Sequence, residues 1–173
     1  TVLDDNGLTA PAVSGKAAVV VSGSVVPATL GTVLNGVTVP VVVANTTVAA
    51  NMGLTGTISG TDYGTATGQS TVALTPTGSA HPTGGGLTAG TVATSSVAES
   101  LGWAKPAAGA VTTATLTTVA TRATVFSYEP GSGMITGTAP ARRVGFFVSN
   151  GTANTTGNTA QLFDAALAWE ANT

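Results

Sequence analysis

Two short runs of apolar, β-branched residues constrain the fold of this chain more than any other feature. Residues 16–23 read KAAVVVSG and residues 37–44 read VTVPVVVA, with apolar side chains at consecutive positions. Strands with this pattern are covered on both faces, as in a parallel sheet. Residues 24–36 predict a short helix between them, because Ser24 can cap it and Pro27 fits its first turn. We therefore expect a strand–helix–strand unit with parallel strands.

Other segments predict strands around a glycine-rich middle region. In residues 55–74, Thr, Ile, Tyr and Val alternate with Gly and Ser, which indicates a hairpin with one solvated face. Ser96 and Glu99 have the spacing of a capping box, which predicts a short helix before Gly102. Three later segments predict strands: residues 110–116, 123–128 and 143–149.

The clearest helix is the one that closes the chain. Apolar residues recur there at spacings of three and four, at Leu162, Phe163, Ala166, Leu167 and Trp169. This spacing predicts a core-facing stripe that includes the Trp169 indole, and we expect Asp164 and Glu170 to face outward. The chain has 173 residues without a linker or a repeat of fixed period, which predicts a single domain, residues 1–173. The fold class that follows is α/β, with a mainly parallel sheet, flanking helices and a β-hairpin excursion near residues 55–75.

Charged side chains are scarce, and this excludes several classes of partner. They make up 7% of the chain, against about 25% in ordinary domains. Five dispersed cations and a formal charge of -2 provide no basic surface for a nucleic-acid backbone. No apolar run approaches the ~18–20 residues needed to cross a bilayer. The absence of Cys excludes disulfides, thiolate metal sites and a cysteine nucleophile. We expect no metal site and no cofactor.

The remaining surface is rich in hydroxyl and amide groups, since the chain contains 33 Thr and 23 Gly. Lys and Glu, the residues most depleted from protein interfaces, are nearly missing. This composition favours self-association into a homo-oligomer; the alternative is a neutral extracellular domain kept soluble by attached sugars. Sequons make Asn45, Asn150 and Asn154 candidates for glycosylation. We expect an extracellular or cell-surface location.

Several segments, in their order along the chain, resemble a known family. They include VVVSGSV (19–25), VPVVVA (39–44), APARRVGFF (139–147) and LFDAALAW (162–169). The arrangement resembles the ThuA-like branch of the class I glutamine-amidotransferase-like fold and covers about residues 16 to 170. The resemblance implies a flavodoxin-like sheet.

Two departures from that family bear on function. Its catalytic members carry a nucleophile on the turn after the strand that matches VPVVVA. Here that turn reads ANTT at residues 44–47, with neither Cys nor Ser and without the flanking glycines of a nucleophile elbow. Members also begin with a central strand and a helix before the segment that matches TVLDD. Loss of that central strand would leave backbone groups unpaired on both neighbouring strands. We therefore hypothesise strand donation between subunits; a preceding segment and a different local topology are the alternatives.

Few side chains are candidates for a site. Glu129, in YEPGSG, lies near the family's site by resemblance, and its carboxylate either forms an ion pair with Arg142 or Arg143 or marks a vestigial site. His81 is the one imidazole of the chain, and its position beside a proline is typical of a loop. Trp103, in GWAKP, is a candidate for stacking on a sugar, with burial in the core as the alternative.

Together these features predict a non-catalytic structural subunit of an extracellular, glycosylated, self-assembling filament or surface layer. The alternative is a carbohydrate-associated accessory domain, since the resembling domains often accompany secreted glycan-acting enzymes. A third hypothesis is a degenerate hydrolase, which requires Glu129 and His81 to reach one substrate.

Overall fold

A computed structural model describes residues 1–148 and 153–172, and nine strands of these residues form one mixed sheet. The strands are β1 (Val19–Val21), β2 (Val41–Val43), β3 (Tyr63–Gln69), β4 (Thr71–Leu74), β5 (Gly90–Ala93), β6 (Glu99–Ala104), β7 (Val111–Leu116), β8 (Val119–Tyr128) and β9 (Arg143–Phe146). The helices are α1 (Ala10–Val13), α2 (Pro27–Leu30), α3 (Thr46–Asn51), α4 (Pro76–Ala80) and α5 (Gly157–Ala171), with a 3-10 turn at Pro82–Gly84. The main path of the sheet runs β1-β2-β9-β8-β7-β4-β5.

The parallel part of the sheet consists of β1, β2 and β9. The predicted strand–helix–strand unit is confirmed, since β1 and β2 pair in parallel and α2 lies between them in the chain. The helix is only one turn long, because Gly31 leaves the helical conformation at a φ of +56°. Val42 packs in one buried cluster, and Val41 and Val43 pack in the other, on the opposite face. The consecutive apolar pattern therefore reflects a strand covered on both faces.

Beyond these three strands the sheet is antiparallel, so the prediction of a mainly parallel, flavodoxin-like sheet is wrong. Two strand pairings are parallel and six are antiparallel in the described residues. Thr117 and Thr118 alone connect β7 to β8. Two residues suffice for an antiparallel hairpin, whereas a parallel connection needs a crossover of about a dozen or more.

The hairpin predicted near residues 55–75 is also wrong. Both β3 and β4 form there, but a single residue, Ser70, separates them, which leaves no room for a reversing turn. Instead β3 pairs with β6, and β4 lies between β5 and β7. The alternating composition correctly indicated that these residues form strands. It carried no information about which strands pair with each other.

The short helix predicted after Ser96 is a strand as well. In β6, Leu101 and Trp103 are buried while Gly102 between them is partly exposed. This alternation has the period of two that distinguishes a strand from a helix. The apolar residues after the capping-box motif therefore decided the structure, and the motif did not.

The closing helix α5 is confirmed, and Leu162, Ala166 and Trp169 pack against the sheet as predicted. The expectation that Glu170 faces outward is wrong, because this side chain is fully buried. Glu170 follows Leu162 and Ala166 at intervals of four residues, so it lies on the same face of the helix.

The centre of the parallel part has no vacant strand position. β1 pairs directly with β2, and β2 pairs directly with β9. The inner edges of these three strands are therefore paired, and none of them lacks a neighbour in the way that the loss of a central strand would require. A strand donated by another subunit would have to add at a free edge, and the outer edge of β1 is one.

Candidate functional site

Four separate segments of the chain converge on an open cleft of about 500 Å³. His81 follows α4, Glu129 follows β8, Arg142 precedes β9, and Trp169 and Asn172 come from the end of α5. The cleft therefore brings together three of the charged or titratable residues that the sequence singled out, although they are far apart in the chain.

Arg142 joins the walls of this cleft. Its Nε lies 3.3 Å from Glu129 Oε2, which is the ion pair expected for Glu129. Its Nη1 donates to the backbone carbonyls of Trp169 and Asn172, and the guanidinium lies 4.6 Å from the centre of the Trp169 ring. A cation at the carboxyl end of a helix also offsets the negative end of the helix dipole. The main role of Arg142 is to hold the end of α5 against the sheet.

His81 is a fixed, neutral imidazole at the rim of the cleft. The backbone N–H of Thr83 donates to its Nδ1 at 3.3 Å, and the Thr83 hydroxyl lies 2.9 Å from the same nitrogen. An accepting Nδ1 assigns the ring proton to Nε2. Burial lowers the pKa of His81, opposed by Glu129 and assisted by Arg142. The ring edge packs against Trp169, with 5.3 Å between the ring centroids.

The chemistry that this cleft can support is limited. The pair required by a degenerate hydrolase, His81 and Glu129, does line one cleft. The Glu129 carboxylate is engaged by Arg142, however, and the described residues of the lining include no hydroxyl or thiol that could act as a nucleophile. Across residues 1–148 and 153–172, no three His, Cys, Asp or Glu side chains are grouped so that they could hold a metal ion.

Arg143, the second cation considered as a partner of Glu129, points into the protein instead. It is fully buried, and its Nη1 donates to the carbonyls of Val39 at 3.0 Å and Arg142 at 2.9 Å. Its Nη2 donates to the carbonyl of Val37 at 2.5 Å. Burial lowers the pKa of Arg143 to about 10, against a raising effect of Glu170. Arg143 therefore fixes the segment that leads into β2.

Glu170 is the titratable residue that the sequence reasoning missed. Its side chain is 0% exposed, and neither carboxyl oxygen has a hydrogen-bond partner in the described part of the chain. Burial raises its pKa to about 8, although Arg143 and Arg142 act in the opposite direction. The signal in the sequence was its spacing of four from Ala166 and eight from Leu162.

Asn45 occupies the turn where the resembling enzymes carry a nucleophile, and its side chain is fully used for structure. Its Oδ1 accepts from the backbone N–H groups of Thr47 at 3.0 Å and Val48 at 3.1 Å, which caps α3. Its Nδ2 donates to the carbonyls of Gly23 and Val25. The nitrogen that a glycan would modify is therefore engaged in the folded chain.

We expect Asn45→Ala to lower the free energy of unfolding by about 1–3 kcal/mol, because it removes a helix cap and two donors, one to the exposed carbonyl of Gly23 and one to the partly buried carbonyl of Val25. Asn45→Asp keeps the capping oxygen and loses the donors, so its effect should be intermediate. Urea unfolding of the three proteins measures this. Equal stability of Asn45→Ala and the wild type would contradict the structural role.

Of the asparagines in the other two sequons, the structure describes Asn154. The Nδ2 of Asn154 donates to Glu99 Oε1 at 3.0 Å, and its carbonyl accepts from Ser95 and Ser96. Asn154 therefore connects the segment before α5 to the region around the start of β6. Asn150 lies outside the described residues.

Trp103 lies within β6 and is only 2% exposed. The Arg122 guanidinium covers its ring at 4.0 Å from the centroid. A tryptophan that stacks on a sugar must present an open face, and this indole presents none. The structure therefore argues against sugar stacking at Trp103. Trp169 is buried, as predicted.

Comparison with protein-family models, with curated proteins and with solved structures finds no match to this chain. The resemblance to ThuA-like domains thus stays a hypothesis that rests on the segment order alone. Among the residues that the structure describes, no helix combines the length and hydrophobicity required to span a bilayer.

Proposed function

We propose that this chain is a non-catalytic structural subunit of an extracellular, glycosylated filament or surface layer that assembles from its own copies. The observation that carries the proposal is the position of the few charged side chains in the fold. Arg143 and Glu170 are buried, Arg142 is engaged by Glu129 and the end of α5, and Arg122 lies over Trp103. The charges that remain exposed are few and of both signs: Asp4, Lys16, Lys105, Glu129 and Asp164. Neighbouring copies therefore meet little electrostatic repulsion across a surface that consists mainly of hydroxyl and amide groups.

The outer edge of β1 supports contact between copies. Val19 N–H donates to Pro40, and Ala44 N–H donates to the carbonyl of Val21, so the backbone groups of these two valines face β2. Because strand geometry alternates, the amide and carbonyl of Val20 between them face away from the sheet. The Val20 side chain is 48% exposed. An uncovered strand edge is a template for pairing with another chain.

Apolar surface surrounds this edge. A groove of about 320 Å³ runs beside β1. Its lining includes apolar side chains such as Val25 and Leu30 and also the charged residues Asp4, Asp5 and Lys16. Val2 and Val26 are also exposed. We assign the occupant of this edge as a second copy of the same chain, because the groove carries charges of both signs, Lys16 together with Asp4 and Asp5, so that two copies can place opposite charges against each other.

The experiment compares two valines of equal exposure. Val20→Lys places a charge on the strand edge, as natural edge strands do to prevent pairing, while Val97→Lys places the same charge on a valine that is 49% exposed and outside any strand. Sedimentation of the wild type should show mass that rises with concentration. Val20→Lys should weaken association by roughly tenfold or more, and Val97→Lys by much less. A wild type that stays a monodisperse monomer at high concentration would contradict the proposal.

A further inference from the structure

The last turn of α5 carries an acid in a place unsuited to a charge. Glu170 is 0% exposed, and neither of its carboxyl oxygens has a hydrogen-bond partner among the described residues. The charged groups that act on it are Arg143 of β9, Arg142 just before that strand, and Glu129 after β8. The other elements packed against α5, namely β2, β5 and the 3-10 turn, contain no titratable side chain; His81 precedes that turn and contacts Trp169.

No hydrogen bond joins Glu170 to either arginine in the described part of the chain, although the buried Nε of Arg143 also has no partner. Both Nη atoms of Arg143 donate to backbone carbonyls, and Arg142 is held by Glu129 and by the carbonyls of Trp169 and Asn172. The negative end of the helix dipole adds to the cost of a second negative charge in the last turn. A buried carboxylate without hydrogen bonds is strongly unfavourable, whereas the neutral acid is tolerated.

We propose that Glu170 is a proton-dependent latch: as a neutral acid it lets the last turn of α5 dock on the sheet, and as a carboxylate it favours release of that turn. Release would do more than expose one side chain. The same turn provides two carbonyls to Arg142 and one wall of the cleft, through Ala168, Trp169 and Asn172. Lifting it frees the Arg142 guanidinium and widens the cleft beside His81.

The direction of the pH dependence follows from linkage. In the docked turn the pKa of Glu170 is raised to about 8, and in a released, solvated turn it returns toward its ordinary value of 4.5. The docked form therefore binds more protons between these two values. The equilibrium constant for release should rise by close to tenfold per pH unit between about pH 5 and pH 8, and then level off.

Amide hydrogen exchange of peptides that cover residues 162–172 tests this from pH 5 to pH 9, with each rate divided by the intrinsic rate at that pH. In the wild type the corrected exchange rate should rise by close to tenfold per pH unit between about pH 5 and pH 8. Glu170→Gln mimics the neutral acid, so its corrected rate should be flat. Asp164→Asn removes an exposed carboxylate from the same helix and should keep the wild-type slope. Peptides from β7 serve as an internal reference that stays protected.

Three outcomes would overturn the latch. The first is an equal slope for the wild type and Glu170→Gln. The second is a corrected rate that falls as pH rises, which would mean that the carboxylate recruits Arg143 and tightens the turn. The third is a direct titration by carbon NMR in which the Glu170 carboxyl of the folded protein ionises near the ordinary pKa of a glutamate. A reversed or ordinary titration leaves the assembly proposal standing, because neither the β1 edge nor Val20 takes part in the latch.

Discussion

Arg143→Met should lower the free energy of unfolding by about 3 kcal/mol, which corresponds to a fall in melting temperature of roughly 6–12 °C for a chain of this size. The substitution keeps the bulk of the side chain and removes its donors. The carbonyls of Val37 and Val39 then lose their buried partner, whereas the carbonyl of Arg142 still accepts from Val41 N–H. Leaving buried acceptors unsatisfied is costly because water cannot replace the lost donor.

The matched control for this prediction is Lys105→Met, which removes a cation from the surface. Lys105 is exposed, so its replacement should change stability by less than about 0.5 kcal/mol. Thermal and urea unfolding of the two variants beside the wild type provide the comparison. If Arg143→Met were as stable as Lys105→Met, the segment that leads into β2 would not depend on these hydrogen bonds.

Gly78→Ala should be comparably damaging, with a loss of roughly 3 kcal/mol, for a steric reason. A Cβ at Gly78 would lie 2.2 Å from the carbonyl oxygen and 2.4 Å from the Cα of Thr113, which belong to the main chain of β7. Main-chain atoms of a strand in mid-sheet cannot move aside as a flexible side chain can, so α4 would have to shift. His81 follows α4 directly, and the cleft would be distorted with it.

Gly36→Ala controls for the general effect of replacing a glycine. A Cβ at Gly36 meets no atom within 4 Å, and its backbone is outside the left-handed region. Gly36→Ala should change the free energy of unfolding by less than about 0.5 kcal/mol. A Gly78→Ala protein that unfolds at the same urea concentration as Gly36→Ala would show that α4 can retreat from β7 at little cost.

What the sequence revealed of the fold depended on local periodicity. The valine run of β2 and the helical spacing of α5 were interpreted correctly, because burial on both faces or on one helical face leaves a local pattern. The run of β1 does form a parallel strand, but the prediction that it is covered on both faces is wrong, since Val20 is 48% exposed. The pairing of β3 with β6 leaves no such pattern, since strand partners are chosen by tertiary packing. The capping-box motif before β6 was outweighed by the burial of Leu101 and Trp103 on alternate residues.

The candidate site was predictable to a similar extent. The pairing of Glu129 with Arg142 follows from the rule that a partly buried charge needs a partner. The roles of Arg143 and Glu170 escaped notice because charged residues are exposed by default, and few are ever fully buried. Only the helical position of Glu170, in line with Leu162 and Ala166, indicated otherwise.

The valines of β2 have a consequence for how this protein loses its structure. Val42 is part of the layer beneath α5, while Val41 and Val43 are part of the layer beneath α2 and α3. The three residues of β2 thus contribute to the hydrophobic layers on both sides of the sheet. Loss of packing on one side should therefore weaken the other through β2, and we expect the described chain to unfold in one cooperative transition, without one layer persisting after the other is lost.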